Sequence, residues 1–317
     1  MQFIIFYKEK GKKMLKLSIA FIATIFLFTG CADKSAPLTH NLEKKEDIYS
    51  IKQAKSISMQ ELVNEVEHYP IIFVGDHHNT QKTHKFFAQV LEELGKKGYN
   101  LSLANEWFTP EQDELLKEYT DNKFDTTTFK EKVEWDKFSK YKWEYVSLLY
   151  EAIKNSGGRL YGMNISKEDR AKISLKQFDK MSQEEKDFYN NLDLGVTAHQ
   201  QLVYPYLQHC DKMPSTSKEP CLERTYRVQV TWDTYMAQNV AKIAKDVIKS
   251  PKDKLLVFAG AMHIEQNLGI PLRFSRLSNL PFISISNQRI DKEEDLKINI
   301  NKSDIVYIYE TEEDKAK

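Results

Sequence analysis

Short apolar runs alternate along the chain with longer segments in which apolar residues recur at helical spacing. Six runs have the length and composition of buried strands, and they cover residues 71–75, 101–104, 159–163, 254–259, 282–286 and 305–309. Helical spacing is clearest over residues 79–97 and 224–249, where each predicted helix has one apolar stripe. Strands that alternate with helices predict βαβ units, and therefore an α/β fold with a mostly parallel sheet flanked by helices.

One segment interrupts this alternation. Residues 166–221 contain no strand pattern, so we expect them to form a smaller all-helical subdomain inserted into the main domain. The α/β domain itself is then built from residues 51–165 and 222–317.

Residues 1–31 have the pattern of an export signal. Five lysines from Lys8 to Lys16 form a positive leader, and a mostly apolar run follows from Leu17 to Phe28. Its length of about a dozen residues suits a signal-peptide core and is too short for a comfortable membrane span. The run leads to Gly30 and Cys31, and small residues before a cysteine resemble a bacterial lipobox. A plain secretory signal with an incidental cysteine is the alternative.

Cleavage at a lipobox would leave Cys31 as the first residue, carrying acyl chains such as palmitate. One acyl chain anchors a protein only marginally, and a second makes the anchoring stable. Ala32 follows, and the sorting rules of this class of protein then permit delivery to the outer membrane. We therefore expect a lipoprotein anchored to a bacterial membrane, the outer one, and facing the periplasm. Residues 32–50 are polar and mixed in charge, which predicts a flexible tether.

Charge and cysteine content narrow the class of protein further. The 46 Lys and Arg residues balance 46 Asp and Glu residues, which argues against a nucleic-acid partner because such proteins usually carry a basic face. Only Cys210 and Cys221 remain after processing, and we expect them to form a disulfide in an oxidising compartment. The alternative is a metal pair with His209, although the spacing is not C-x-x-C.

Titratable residues follow the predicted strands at the points where the strands end. They are Asp76, His77, His78, Glu106 and His263. Ligands of open α/β sheets bind beyond the carboxyl ends of the strands, so we expect these side chains to form one rim. Asp76, His78, Glu106 and His263 could bind a divalent metal or form a hydrogen-bonded network. Taken singly, each could also be a loop residue or a helix cap.

Several motifs keep a fixed order from about residue 58 to residue 290. They are Val74-Gly75-Asp76-His77-His78 with His84 downstream, the strand-end Glu106, Tyr161-Gly162-Met163-Asn164-Ile165, Trp232-Asp233-Thr234-Tyr235-Met236-Ala237, and Ala259-Gly260-Ala261-Met262-His263 with Gly269-Ile270-Pro271. In these motifs the chain resembles the ChaN-like haem-binding uptake family of the Tiki superfamily. Asp76 departs from the family pattern, which usually has glutamate there, and the shorter side chain reaches less far into the site.

The resemblance implies a surface-tethered haem carrier that binds ferric protoporphyrin IX and supports haem or iron uptake. In the family, a large α/β domain carries a small helical one, and two haems lie face to face in a pocket formed by a homodimer. One tyrosine holds each iron, and a histidine and a lysine of the other subunit contact the propionates. An outer-membrane haem receptor is a possible further partner.

No motif identifies the iron-binding tyrosine, because the helical insert is the variable part of the family. Ferric iron favours a hard anionic oxygen, and Tyr204 and Tyr206 lie between His199 and His209 in the insert. Pro205 bends or ends a helix between them. We choose Tyr204, with Tyr206 as the alternative. His199, His209 and Lys212 are candidates for the propionates. Both tyrosines could instead be core aromatics, and His199 or His209 could be the ligand.

Three hypotheses about function follow. The first is a haem-binding carrier with no catalytic residue. The second is a metal-dependent or histidine-based hydrolase of the superfamily, in which His78 or His263 is a general base or metal ligand and Glu106 its acidic partner. The third is a binding or scaffolding lipoprotein whose rim residues are structural. A serine hydrolase is disfavoured because the chain has no nucleophile elbow around a serine.

Overall fold

The computed structural model describes residues 39–41, 46–291 and 297–310. The predicted signal peptide, the lipobox with Cys31 and most of the predicted tether lie outside the described residues. In the part of the chain that is described, no helix combines the length and the apolar character needed to cross a bilayer.

The strands are numbered along the chain. They are β1 (Thr39–Asn41), β2 (Asp47–Ser50), β3 (Lys55–Ser56), β4 (Ile71–Asp76), β5 (Asn100–Asn105), β6 (Arg159–Gly162), β7 (Asp253–Gly260), β8 (Phe282–Ile290), β9 (Lys297–Asn299) and β10 (Ile305–Glu310). Within the described residues, eight of them form one sheet in the order β3-β2-β10-β8-β4-β7-β5-β6, and β1 pairs with β9.

The helices are numbered in the same way. They are α1 (Met59–Val66), α2 (Gln81–Lys96), α3 (Asp113–Thr120), α4 (Thr126–Lys132), α5 (Trp135–Phe138), α6 (Trp143–Asn155), α7 (Lys167–Ser174), α8 (Gln183–Asn190), α9 (Thr197–Val203), α10 (Ser215–Val247), α11 (Ala261–Ile264) and α12 (Ile270–Ser275). Short 3₁₀ turns cover Tyr204–Tyr206, Gln208–Lys212 and Glu265–Asn267, among others.

The sheet is mostly parallel, as the alternation of strands and helices predicts. All pairings from β10 across to β6 are parallel, and only the two pairings at one edge, β10 with β2 and β2 with β3, are antiparallel. The six predicted strands are therefore confirmed, with small changes at their ends. The largest change is at β8, which continues to Ile290 because its polar residues still pair with β10.

Both faces of the sheet are covered, which explains why the central strands are apolar at consecutive positions. In β4, Ile72 and Val74 pack into a core with side chains of α1, α2 and α6. Ile71 and Phe73 point to the other face and pack with residues of α10 and α12. The period-two alternation of a strand thus supplies two separate cores.

Two predicted boundaries are wrong. Residues 47–50 were expected in the tether, but they form β2 and pair with residues 305–308 of β10, so the folded body begins earlier. The helix predicted from residue 224 begins at Ser215 and runs to Val247, with Pro220 inside it. It therefore extends across the boundary predicted at residue 221, with Pro220 in its second turn.

The predicted helical insert contains α7, α8 and α9 and no strand between residues 166 and 214. It has a small apolar core of its own, where Val203 and Leu207 pack against Tyr226 and Val230 of α10. The insert is thus attached to the α/β domain through the long helix α10, which also packs on the sheet.

Candidate functional site

The titratable residues predicted at the strand ends do meet at one rim of the sheet. Asp76 is the last residue of β4 and pairs in register with Gly260, the last residue of β7. Glu106 follows β5, and its backbone nitrogen donates to the carbonyl oxygen of Phe258 in β7. β7 lies between β4 and β5, so three adjacent strands bring these groups together.

Asp76 is buried and accepts several hydrogen bonds. Thr83 Oγ1 donates to Asp76 Oδ1 at 2.7 Å, and His78 Nδ1 lies 3.0 Å from Asp76 Oδ2. His84 Nε2 lies 3.4 Å from the same oxygen, while its Nδ1 contacts the Thr80 carbonyl oxygen at 2.8 Å. The first turn of α2 therefore folds back over the end of β4.

Glu106 lies between two histidines. His78 Nε2 is 2.8 Å from Glu106 Oε1, and His263 Nε2 is 3.8 Å from Glu106 Oε2. The backbone nitrogen of Gly260 donates to Glu106 Oε2 at 2.9 Å. His78 therefore bridges two carboxylates, because its other ring nitrogen bonds Asp76.

The network continues through α10 into the insert. His263 Nδ1 lies 2.5 Å from Asp233 Oδ1, and His199 Nε2 lies 3.2 Å from Asp233 Oδ2. His199 Nδ1 contacts the hydroxyl of Tyr226 at 3.1 Å. A chain of polar contacts thus runs from the rim of the sheet to α9.

The backbone around His263 depends on a close approach. A Cβ added at Gly269 would lie 2.1 Å from the carbonyl oxygen of His263, so only glycine fits there. This explains the glycine of the Gly269-Ile270-Pro271 motif, which is needed to place α11 and α12 side by side.

Charge interactions shift the pKa values of the network. Burial alone would raise the pKa of the Asp76 and Glu106 carboxyls, but the histidines beside them outweigh burial and lower both values. Burial would lower the pKa of His78, yet the charge of Glu106 and the hydrogen bond to Asp76 raise it to about 10. Asp233 and Glu106 likewise raise the pKa of His263 against the effect of burial.

The network is therefore close to electrically neutral. The Asp76, Glu106 and Asp233 carboxylates face His78 and His263, both favoured in the protonated form, and Arg273 Nη1 lies 3.9 Å from Asp233 Oδ2. Buried charges are stable in proteins when they are paired in this way. In this structure the rim side chains contact one another through hydrogen bonds and ion pairs.

One cluster of possible metal ligands lies outside the rim. Among the described residues, three or more candidate ligand atoms converge only at His209, Cys210 and Cys221. Cys210 and Cys221 form a disulfide with a Cα–Cα distance of 5.7 Å, as predicted, so their sulfurs are not metal ligands.

Asp76, His78 and His263 of the network line a cleft of about 870 Å³. Ligand pockets typically have volumes between about 300 and 1,000 Å³. The aromatic residues Tyr141, Tyr145 and Tyr309 also line the cleft, as do Arg289 and, from the insert, Tyr206.

His77 does not belong to the network, although it follows Asp76 directly. Its Nδ1 lies 3.1 Å from the hydroxyl of Tyr309, so its ring is directed towards β10. Burial and the charge of Lys302 lower the pKa of His77, which favours the neutral imidazole.

The residues of the insert that were predicted to contact haem differ in their exposure. Tyr206 is 62 % exposed and lines the cleft, whereas Tyr204 is 36 % exposed and packs edge-on against Tyr226 at 5.7 Å. His209 and Lys212 are exposed. His199 is fully buried, so its prediction as a propionate contact is wrong for this conformation.

Sequence reasoning missed two parts of the site. Asp233 belongs to the quoted Trp232 motif, and an acidic residue on the apolar stripe of a long helix is the signal that could have identified it. Arg289 and Lys302 had no local signal, because both lie in polar segments that resemble ordinary surface.

Fold and site together define an α/β protein with a polar network and a ligand-sized cleft at the carboxyl ends of its strands. The model of the haem-binding uptake family, Tiki superfamily, ChaN, matches residues 62–274, which is well over half of the chain. The chain belongs to this family. A search of curated proteins gave no match.

One solved structure agrees with this assignment at the level of the fold, and two further structures match more weakly. The structure that describes cofacial haem binding to ChaN of Campylobacter jejuni has a TM-score of 0.65 and 19% sequence identity, and the match covers 85% of this chain and 98% of that chain. The type III effector HopBA1 matches with a TM-score of 0.44 and 16% identity over 80% and 94% of the two chains. A mutant of the erythromycin esterase EreC has a TM-score of 0.44 and 12% identity over 77% of each chain.

The raised pKa of His78 gives the stability of the protein a defined pH dependence. Protonated His78 stabilises the fold fully below its unfolded pKa of about 6.5, and this contribution is lost as the pH rises towards the folded pKa of about 10. His78→Gln should be less stable than the wild type at pH 6, with a difference in unfolding free energy that shrinks steadily by pH 9.5. Urea unfolding at several pH values measures this difference.

His68→Gln is the matched control, since His68 is exposed on the same protein. A stability difference between wild type and His78→Gln that stayed constant from pH 6 to pH 9.5 would contradict the assigned charge state.

Proposed function

We propose that this protein is a membrane-anchored, haem-binding lipoprotein that supports haem or iron uptake. It binds ferric protoporphyrin IX at a homodimer interface through an axial tyrosine. Membership of the haem-binding uptake family supports the ligand, and the similar structure of ChaN from Campylobacter jejuni supports the cofacial arrangement.

The observation that carries this proposal is the position of Tyr206. Its side chain is 62 % exposed and borders the cleft, so its hydroxyl is accessible to an iron ion. Ferric iron favours tyrosinate among protein ligands. Tyr204 lies on the same turn, but its ring packs against Tyr226. We therefore prefer Tyr206 to Tyr204 as the axial ligand.

The charge state of Tyr206 is compatible with this role. Partial burial and the nearby Glu265 carboxylate raise the pKa of Tyr206, so the free protein holds it as a phenol. Iron must replace the phenolic proton when it binds, and its positive charge stabilises the resulting phenolate. The affinity for ferric haem should consequently increase as the pH rises.

Most of the exposed large apolar side chains lie on the insert. Seven large hydrophobic side chains of the described part are exposed, and five of these belong to the insert: Leu175, Phe178, Tyr204, Tyr206 and Met213. Two porphyrins that stack between two such subunits would remove apolar surface from water. The exposed His209 and Lys212 remain candidates for contacts with the partner's propionates.

Export and anchoring complete the proposal. The Cys31 lipobox would attach the protein to the outer membrane, facing the periplasm, and an outer-membrane haem receptor would be the source of haem. The disulfide between Cys210 and Cys221 supports an oxidising compartment, because such bonds persist there.

Tyr206→Phe should lower the affinity for ferric haem by roughly a hundredfold, because it removes the ligating oxygen. It should also remove the high-spin, tyrosinate-like visible spectrum. The measurement is an absorption titration of the leader-free protein with ferric haem. Tyr204→Phe is the matched control and should bind normally. If Tyr204→Phe lost the spectrum and Tyr206→Phe kept it, the ligand would be Tyr204.

Haem should convert the protein from monomer to dimer at about one haem per chain. Each bound porphyrin exposes an apolar face, and pairing two faces buries both. Light scattering during the titration should show the mass doubling as haem saturates. Tyr206→Phe at the same haem concentration should remain monomeric, and a monomer with haem fully bound would exclude the cofacial arrangement.

A second candidate function is hydrolysis at the rim. The observation in its favour is that His78 and His263, on either side of Glu106, border a cleft of ligand size. Despite burial, Glu106 and Asp76 raise the pKa of His78 to about 10, so His78 is a proton donor at neutral pH and a poor general base. Asp233 raises the pKa of His263 in the same direction.

If the rim is a hydrolase site, wild-type protein should cleave p-nitrophenyl acetate or butyrate, and His263→Asn should abolish the cleavage. A colorimetric assay at pH 7 measures the rate, and His209→Asn is the exposed control. Wild-type protein that gave no more product than buffer would remove this candidate for such esters.

A further inference from the structure

A second cavity lies at the opposite end of the sheet from the cleft. Its volume is about 510 Å³, and we name it the basal cavity. The segments that line it lie where β4, β5 and β7 begin, and they supply Glu67, His68, Tyr99, Lys252 and Lys254. The cleft, by contrast, is lined from the carboxyl ends of β4 and β7. The length of the parallel strands therefore separates the two cavities.

Lys254 is the unusual residue of the basal cavity. It is only 3 % exposed, yet its ammonium group forms no ion pair within the described part of the chain. Lys254 Nζ donates one hydrogen bond of 2.5 Å to the carbonyl oxygen of Glu67 and lies 4.9 Å from the centroid of the Tyr99 ring. An ammonium group has three N–H donors, and lysine is almost never fully buried unless it is paired. Burial lowers the pKa of Lys254 more than the Glu67 carboxylate raises it. Lys254 thus keeps donors for a negatively charged partner.

Lys252 adds a second positive charge to the same cavity. Its Nζ lies 4.6 Å from the centroid of the Tyr99 ring, and it too forms no ion pair with the described residues. The Glu67 carboxylate also lines the cavity, but Lys97 pairs with it and the Tyr99 hydroxyl donates to it at 3.2 Å. The charges of Lys252 and Lys254 are therefore left to attract an anion.

Asp253 lies between the two lysines in sequence but does not line the basal cavity. Side chains alternate along an extended strand, so Asp253 points away from Lys254. Its carboxylate accepts hydrogen bonds from Asn100 Nδ2 at 2.7 Å and from the backbone nitrogens of Lys249 and Ser250 at 2.8 and 2.6 Å. These partners occupy the Asp253 carboxylate, and neither lysine depends on it for a hydrogen bond.

The residues of the basal cavity fit a phosphate group better than a carboxylate. Lysine binds phosphate as a point charge, whereas the arginine fork that matches a planar carboxylate is not among the lining residues. A phosphate monoester carries nearly two negative charges at neutral pH, which matches the two ammonium groups, and a carboxylate carries one. His68 is exposed and lines the same cavity, so its ring is a further hydrogen-bonding group for the phosphate oxygens.

The cavity also has room for an organic group. Its volume falls within the range of about 300 to 1,000 Å³ that is usual for ligand pockets. Pro70, Ile248 and Pro251 line it together with the Tyr99 ring, and these groups offer apolar contact surface. A phosphate with an aromatic or aliphatic substituent would therefore bury more surface there than the free ion.

We propose that the basal cavity binds a phosphate monoester, with the phosphate held by Lys252 and Lys254 and the organic group packed beside Tyr99. This site goes beyond the proposed haem function and does not depend on it, because the cleft lies at the other end of the sheet. The phosphate could belong to a soluble molecule or to a lipid headgroup, since both present the same oxygens.

The test is calorimetric titration of the leader-free protein with phenyl phosphate and with inorganic phosphate, in a phosphate-free buffer of low ionic strength at neutral pH. Phenyl phosphate should bind at about one per chain and more tightly than inorganic phosphate, because its ring leaves water. Benzoate has the same ring and one charge, and it should bind roughly tenfold more weakly than phenyl phosphate.

Lys252→Met should weaken binding of phenyl phosphate by roughly tenfold, the effect of losing one charge-assisted hydrogen bond. Lys254→Met should weaken it at least as much, because its ammonium group is buried. Lys252 is exposed, so its replacement leaves the fold intact and keeps the test decisive even if Lys254→Met unfolds. Lys249→Met is the matched control, because Lys249 is exposed at the same end of the sheet and does not line the cavity.

Wild-type protein that binds neither phosphate saturably would overturn the site, as would an equal loss of binding in Lys249→Met and Lys252→Met. Sedimentation with phosphatidylcholine vesicles that contain phosphatidic acid separates the two sources of phosphate. If wild-type protein binds these vesicles and Lys252→Met does not, the site takes a lipid headgroup. If wild-type protein binds phenyl phosphate but not the vesicles, its ligand is a soluble phosphate monoester.

Discussion

Glu106 holds a carboxylate that is only 8 % exposed between the rings of His78 and His263, with the Gly260 N–H as a third partner. A buried charge is stable only while its partners remain in place, and removing one partner typically costs several kcal/mol. Each strand end and loop that supplies a partner is therefore fixed by the others. This mutual dependence places the ends of β4, β5 and β7 and the short helix α11 in one geometry.

The same network also connects the sheet to the insert. Asp233 on α10 contacts His263 on one side and His199 of α9 on the other, and His199 contacts the Tyr226 hydroxyl. The turn that carries Tyr206 begins directly after α9, so its position follows from these buried contacts. The disulfide at Cys210 then joins the next turn to α10. The short turn that carries Tyr206 is thus held by structure on both sides.

The central strands and the rim were predictable from sequence. Buried parallel strands are continuous apolar runs, and polar residues at their carboxyl ends meet at one rim. The rest depends on packing between distant segments. Tyr204 and Tyr206 flank the same proline, and only the folded structure distinguishes them: Tyr204 packs against Tyr226, whereas Tyr206 lines the cleft. The end of β8 was missed because Arg289 and its polar neighbours are stabilised by β10, which has no local signature in residues 287–290.

The titratable groups of the cleft differ in how firmly the fold holds them. His78 is bonded to two buried carboxylates, which raise its pKa to about 10, so it is a poor proton acceptor near neutral pH. The same bonds hold the ends of β4 and β5 together, so His78 cannot be altered without loss to the fold. Tyr206 and Arg289 are exposed where they line the cleft, and a change at either residue leaves the buried network intact.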